Sequence, residues 1–196
     1  MQLRYFIIFF ILFLTACSSQ SPLPVDHYYR FPEMTETTHG QQLAQLVSII
    51  PFQANGLLNE RAIVYSDDGI ELRQYHYHHW EDSPSRLLTE RLAEKLRLSH
   101  FADVVLTTYE GDSDLVIKGR IKSFERLRYK NNESVNVKIV IQVNSNTGNL
   151  PILFKEYTES IAVSSSSIND AVIAFGKAVD LIYNQFYNDL VDITKS

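Results

Sequence analysis

The chain has 196 residues, with 18 Lys and Arg against 23 Asp and Glu, 45% hydrophobic and 21% charged residues, a formal net charge of −5 and a pI near 5.7. These values describe one globular domain and exclude a disordered tail, a fibre or two full-sized domains. They also argue against a nucleic-acid partner, because binding phosphates requires Lys and Arg concentrated on one face.

The chain has a single cysteine, Cys17, which forbids an internal disulfide and any all-cysteine metal cluster. It is a buried thiol, a nucleophile or a modified residue, and its position decides among these. Residues 1–16 carry one positive charge at Arg4, an unbroken apolar run over residues 5–14, and then small residues. That is the pattern of a secretory signal. The run is about half of the ~20 residues a bilayer-spanning helix needs, so the segment is expected to insert and be cut rather than to remain as an anchor. Leu14-Thr15-Ala16-Cys17 resembles the bacterial lipobox. The resemblance implies a thioether-linked diacylglycerol on Cys17 and an acyl chain on its new amino group. Each buried methylene contributes about 0.8 kcal/mol, and more than one chain is needed for a stable hold on a membrane. The next residue is Ser18 rather than Asp, which in lipoproteins of Gram-negative bacteria implies the periplasmic face of the outer membrane. Removal of residues 1–16 leaves 180 residues with net charge −6. Residues 18–24, small and polar with two prolines, read as a tether. The expected plan is a signal peptide over 1–16, a lipidated tether over 17–27 and a folded domain over 28–196.

The folded part reads as short strands interrupted by two helices, so the fold class is α/β or α+β. A single compact domain is expected, with two main helices packed on a mixed, mostly antiparallel sheet. Residues 43–52 are apolar on both alternations and end at Pro51, as for a central strand covered on both faces. Residues 62–66 and 70–77 flank Asp67-Asp68-Gly69, a hairpin turn in which Gly69 takes positive φ at little cost. Ser83-Pro84 opens a helix, with the Ser83 hydroxyl available to cap it and Leu88, Leu92 and Leu96 on one stripe. Short strands follow over 104–108 and 115–124. In the second, Leu115, Ile117, Gly119 and Ile121 alternate with Lys118, Arg120 and Lys122, so one face is wet. Val135, Val137, Ile139, Ile141 and Val143 have the cleanest period of two, and residues 144–149 turn into a strand over 152–163. These last three strands are expected to form an antiparallel meander. A second helix starts at Ser167 with Asp170 in a capping-box-like position and runs to about Leu190.

Tyr75-His76-Tyr77-His78-His79-Trp80 holds three of the six histidines and the only tryptophan. On an extended strand His76 and His78 share a face and His79 points to the other, so the string supplies at most two metal ligands. Zinc or copper needs a further donor, and nothing fixes His27, His39 or His100 nearby. Packing of the aromatic residues beside partly exposed histidines explains the string better than a metal does. No nucleophile elbow, phosphate loop or dinucleotide fingerprint is present, so neither an enzyme nor a cofactor is expected. Asp67-Asp68, Asp112 with Asp114, and Glu81-Asp82 sit at turns and a helix start, where carboxylates serve local hydrogen bonds. Lys118, Arg120 and Lys122, with Arg126, Arg128 and Lys130 beyond, form the one basic stretch, a solvated face or a contact for an acidic partner or lipid head groups.

Several segments in order resemble the ABC-type transport auxiliary lipoproteins, the PqiC-like intermembrane transport group, over roughly residues 43–190. They are the strand end Ile49-Ile50-Pro51; Arg61-Ala62-Ile63-Val64-Tyr65 followed by Glu71-Leu72 and Tyr75; Trp80-Glu81-Asp82-Ser83-Pro84-Ser85-Arg86-Leu87-Leu88 with Leu92, Leu96 and Phe101; and Leu115-Val116-Ile117-Lys118-Gly119-Arg120-Ile121-Lys122-Ser123-Phe124. The histidines before Trp80 depart from the family pattern, in which a basic residue often precedes the tryptophan. The resemblance implies a periplasm-facing outer-membrane lipoprotein, attached through Cys17, that works with an MCE-domain protein and ABC transporter subunits to move lipids or other hydrophobic molecules. It implies a docking or scaffolding part, and members that tend to form homo-oligomers. Two other readings stay open: a lipid-anchored module that binds a lipid, or a metal through His76 and His78; and a regulator of a cell-wall synthase.

Overall fold

A computed structural model describes residues 23–34, 40–108, 111–130, 132–146, 148 and 150–195. The signal segment, Cys17 and most of the tether lie outside the described residues, as does His39. Eight strands form one sheet: β1 (His27–Tyr29), β2 (Ala44–Ile49), β3 (Ala62–Ser66), β4 (Arg73–Trp80), β5 (Ala102–Leu106), β6 (Leu115–Tyr129), β7 (Asn132–Ser145) and β8 (Pro151–Ala162). Helix α1 (Pro84–Leu98) lies between β4 and β5, and α2 (Ile168–Lys195) closes the chain. The result is the expected α+β domain, with two helices on a mixed, mostly antiparallel sheet.

The organising element is β6. Its alternation of apolar and charged residues makes one side core and the other solvent, and at 15 residues it is long enough to pair with several partners. Along one edge it pairs antiparallel with β7, which pairs antiparallel with β8, giving the meander read from sequence. The opposite edge is shared by parallel partners: β2 at the start (Val47 beside Leu115), a single bridge from Gln53 to Arg120 in the middle, and β3 at the end (Tyr65 beside Arg126). Beyond β2 lies β5, and beyond β3 lie β4 and then β1. The strand continues five residues past Phe124 because β3 and β7 both supply backbone partners there.

Val135, Val137, Ile139, Ile141 and Val143 point from β7 into the core, where α2 buries Val172, Phe175, Val179, Ile182, Phe186 and Leu190 against the sheet. Leu88, Leu92 and Leu96 of α1 are fully buried. The two helices meet through the Tyr183 hydroxyl, which donates to the Leu88 carbonyl at 2.7 Å, and through a bidentate pair from Arg91 to Asp180 with both contacts at 2.8 Å. Trp80, Phe124 and Phe175 form an aromatic cluster with ring centres 4.6–5.3 Å apart. Phe31 joins its edge and carries the N-terminal segment across α2, where the missing side chain of Gly176 leaves room for Pro32.

Several local expectations change. The Ser83 hydroxyl makes no capping bond; its backbone carbonyl instead accepts the amides of Arg86 and Leu87, and Asp82 accepts the Ser83 amide. At Ser167 the hydroxyl does accept the Asp170 amide, but the Asp170 carboxylate turns to the Ser165 hydroxyl rather than completing the box. Strand β4 starts at Arg73, not Ile70. The Asp68 carboxylate holds the amides of Ile70 and Glu71 in the turn, and the Ser66 hydroxyl holds the Gly69 amide, with Gly69 at φ +76°. Helix α2 runs past Leu190 to Lys195.

Candidate functional site

The first described strand, β1, is a three-residue edge strand parallel to β4. The register puts His27 beside His78, Tyr28 beside His79 and Tyr29 beside Trp80. The His27 and His78 rings stack with centres 5.2 Å apart, the Tyr29 hydroxyl lies 2.9 Å from His78 Nδ1, and His79 Nε2 lies 3.4 Å from Asp26. Burial, reinforced by the nearby His27 and His79, holds the His78 imidazole below its ordinary pKa. The histidine string therefore closes the first strand against the sheet. His76 is exposed and lies beside Tyr77. Among the described residues no group of three or more His, Cys, Asp or Glu is placed to hold a metal ion. A shift in the β3–β4 pairing, from Ala62 opposite His79 to Val64 opposite Gln74, breaks the simple alternation, so Tyr75 meets His78 edge to face.

Asp68 and Asp82 have the local partners expected at a turn and a helix start, whereas Asp114 and Asp67 reach across the fold. Asp114 Oδ2 accepts the amides of Gln45 and Leu46 at 2.8 and 2.9 Å, pinning the start of β2 beside the start of β6, and these bonds hold its carboxyl below the usual range. Asp67 accepts from Arg128 and Arg73, Glu81 pairs with Arg30, and Asp82 with Arg86.

The basic stretch does not act as one unit. A bulge between Ile121 and Ser123 shifts the alternation of β6, and Arg126, expected on the wet side, is 2% exposed. There it pairs with Glu133 and donates to the Tyr75 hydroxyl at 3.3 Å, while Arg128 reaches Asp67 and stacks on Tyr65. The same shift sets Glu125 on the other face, opposite Asn136, where it is still buried and its carboxylate accepts from the Phe124 amide and the Asn136 side chain; desolvation nevertheless pushes its pKa up.

Before the bulge the pattern holds. Lys118, Arg120 and Lys122 are exposed on the sheet face opposite the helices, and among the described residues they form no ion pair. The ladder sets Lys118, Gln142 and Phe154 in one cross-strand row and Arg120, Val140 and Glu156 in the next. Together with Ile50 and Pro51, this face forms an open groove of about 460 Å³. Phe154 is 70% exposed, and Ile152 and Leu150, on the same strand and the turn before it, are also exposed. These apolar positions are visible in the sequence as alternate residues, but they carry no chemical motif. A second hollow of about 350 Å³ lies between the helices, and its Arg91 is already held by Asp180.

A two-layer α+β domain with a long β6, a three-strand meander and an N-terminal edge strand beside β4 defines the fold class. A DUF330-family crystal structure from Xanthomonas campestris matches it with a TM-score of 0.71 at 13% identity, covering 88% of this chain and 95% of that one. A hypothetical protein from Chlamydia trachomatis matches with a TM-score of 0.53 at 11% identity, over 77% and 98%. At these identities the likeness shows the fold. The family model described as the ABC-type transport auxiliary lipoprotein component matches residues 29–186, and the chain belongs to that family. No curated protein matches the chain.

Proposed function

We propose that this auxiliary lipoprotein is anchored by acyl chains on Cys17 to the periplasmic face of the outer membrane. From there it docks an MCE-domain protein and its ABC transporter subunits, as a non-catalytic part of a route that carries lipids between membranes. The observation that carries this reading is the family match, which begins at Tyr29 within β1 and runs to Phe186 in α2, so the whole folded domain is the auxiliary component. Residues 18–26 separate Cys17 from β1, and a fully extended chain of that length spans at most about 30 Å. Anchoring at Cys17 therefore keeps the domain within roughly one domain diameter of the bilayer.

Membranes separated on a density gradient test the anchored location. The full-length chain is expected to band with outer-membrane markers, and Cys17→Ala to leave that fraction. A full-length chain in the inner-membrane fraction, or a Cys17→Ala chain that bands unchanged, contradicts the reading.

A further inference from the structure

We infer that the open sheet face of β6, β7 and β8 binds an anionic amphiphile, its charged head on Lys118, Arg120 and Lys122 and its apolar tail along Val140 and Phe154. The inference rests on the transport reading for its role, to which it adds a class of ligand.

The chain is acidic overall, at −5, yet three cations stand on one short stretch of β6 with no carboxylate paired to any of them among the described residues. Arg120 is only lightly held, donating to Gln53 Oε1 at 3.3 Å. Glu156, in the same row as Arg120, faces Lys138 at 3.6 Å, so that carboxylate has its own cation. A surface left with this excess of positive charge attracts an anion.

The apolar argument is independent of charge. Phe154 is 70% exposed in the middle of a strand whose other face supplies Leu153 and Tyr157 toward α2, so the fold does not need a large ring there. Ile152 is exposed on the same strand and Pro51 forms the far wall of the groove. Apolar groove walls from Phe154, Val140, Ile50 and Pro51 beside a cationic row suit a ligand that carries both characters. An anion without a tail would leave that strip wet, and a tail without charge would leave the cations unused. An anionic lipid satisfies both, and a groove of about 460 Å³ is within the range of small-ligand sites.

The test uses the full-length protein purified from membranes in a non-ionic detergent. It is mixed with dioleoyl phosphatidylglycerol, dioleoyl phosphatidylcholine or inorganic phosphate, and bound molecules are counted by native mass spectrometry over a salt series. Phosphatidylglycerol is expected to be retained about tenfold or more over phosphatidylcholine, less so as salt rises, and not to be displaced by inorganic phosphate. The triple variant K118E/R120E/K122E and, separately, Phe154→Ala are expected to lose that retention, while Lys177→Glu on α2 keeps it. The Phe154→Ala chain and the salt series decide the matter if the triple variant loses its thermal unfolding transition. Equal retention of the two lipids, retention unchanged by these substitutions, or displacement by inorganic phosphate overturns the inference. Retention of neither lipid also overturns it and leaves the face to an acidic protein surface. Transporter subunits that still copurify with the triple variant keep the transport reading intact whatever the lipid result, so the two failures are separable.

Discussion

At Gly119 an ideal Cβ would stand 2.5 Å from three atoms of the Phe52 ring, which is itself buried with its amide bonded to the Thr89 hydroxyl. The glycine lets the segment after β2 fold down onto β6 next to the Gln53–Arg120 bridge. Gly119→Ala is expected to cost about 1–3 kcal/mol through overpacking, read as a lower urea midpoint with an unchanged slope. A midpoint equal to the parent's would show that Phe52 moves aside freely. Glu125 makes a prediction of opposite character. Burial raises its pKa above the ordinary glutamate value, so the folded chain holds a proton that the unfolded chain has released. Its contribution is full below the unfolded pKa and is lost as pH rises toward the raised one. Glu125→Gln removes that decline, so the parent is expected to lose stability relative to the variant as pH rises through this window. A pH-independent difference between the two would contradict the assignment.

At the scale of elements, β1 is held to the edge of the sheet beside His78, and its attachment is expected to depend on pH. The imidazole is held below its ordinary pKa, so protonation favours the unpaired strand; the stabilisation is present above the ordinary histidine value and is lost as pH falls through the lowered one. The Glu81 amide donates to the Tyr29 carbonyl at 2.8 Å and reports this pairing directly. Corrected for intrinsic exchange, its hydrogen exchange is expected to speed up below the ordinary histidine pKa in the parent and to stay flat in His78→Gln. Identical profiles would mean that β1 does not depend on the imidazole. The same element shows where sequence reading stops. The strict alternation of Val135 to Val143 was enough to place β7 and the meander, because a regular strand fixes which side chains share a face. The histidine string is partly exposed beside packed aromatics, as the sequence reads, but its contact with His27 comes only from the fold. Arg126 lies on the other face from the one its spacing suggests, because a bulge at Lys122 breaks the period of two and leaves no mark such as Gly or Pro in the chain. Asp114 reads from sequence as a turn carboxylate with a local role, but its role is to join two distant strands. Its partners Gln45 and Leu46 lie 69 and 68 residues away, and only the fold brings them within reach.

For the whole molecule, the lipobox at Cys17 and the order of motifs from Ile49 to Phe124 pointed to the family that the match over residues 29–186 establishes. The basic row was legible too, but its apolar neighbours were not, since exposed Ile152 and Phe154 look from sequence like any other strand residues. We propose that the folded domain is the docking part of an ABC-type lipid transport route. The most direct measurement is affinity isolation of the full-length chain from its own membranes in mild detergent, followed by mass spectrometry of the proteins that come with it. An MCE-domain protein together with ABC transporter subunits is expected, depleted when Cys17→Ala is used as bait. Isolation of the chain alone, or with cell-wall synthases in place of transporter subunits, would contradict it.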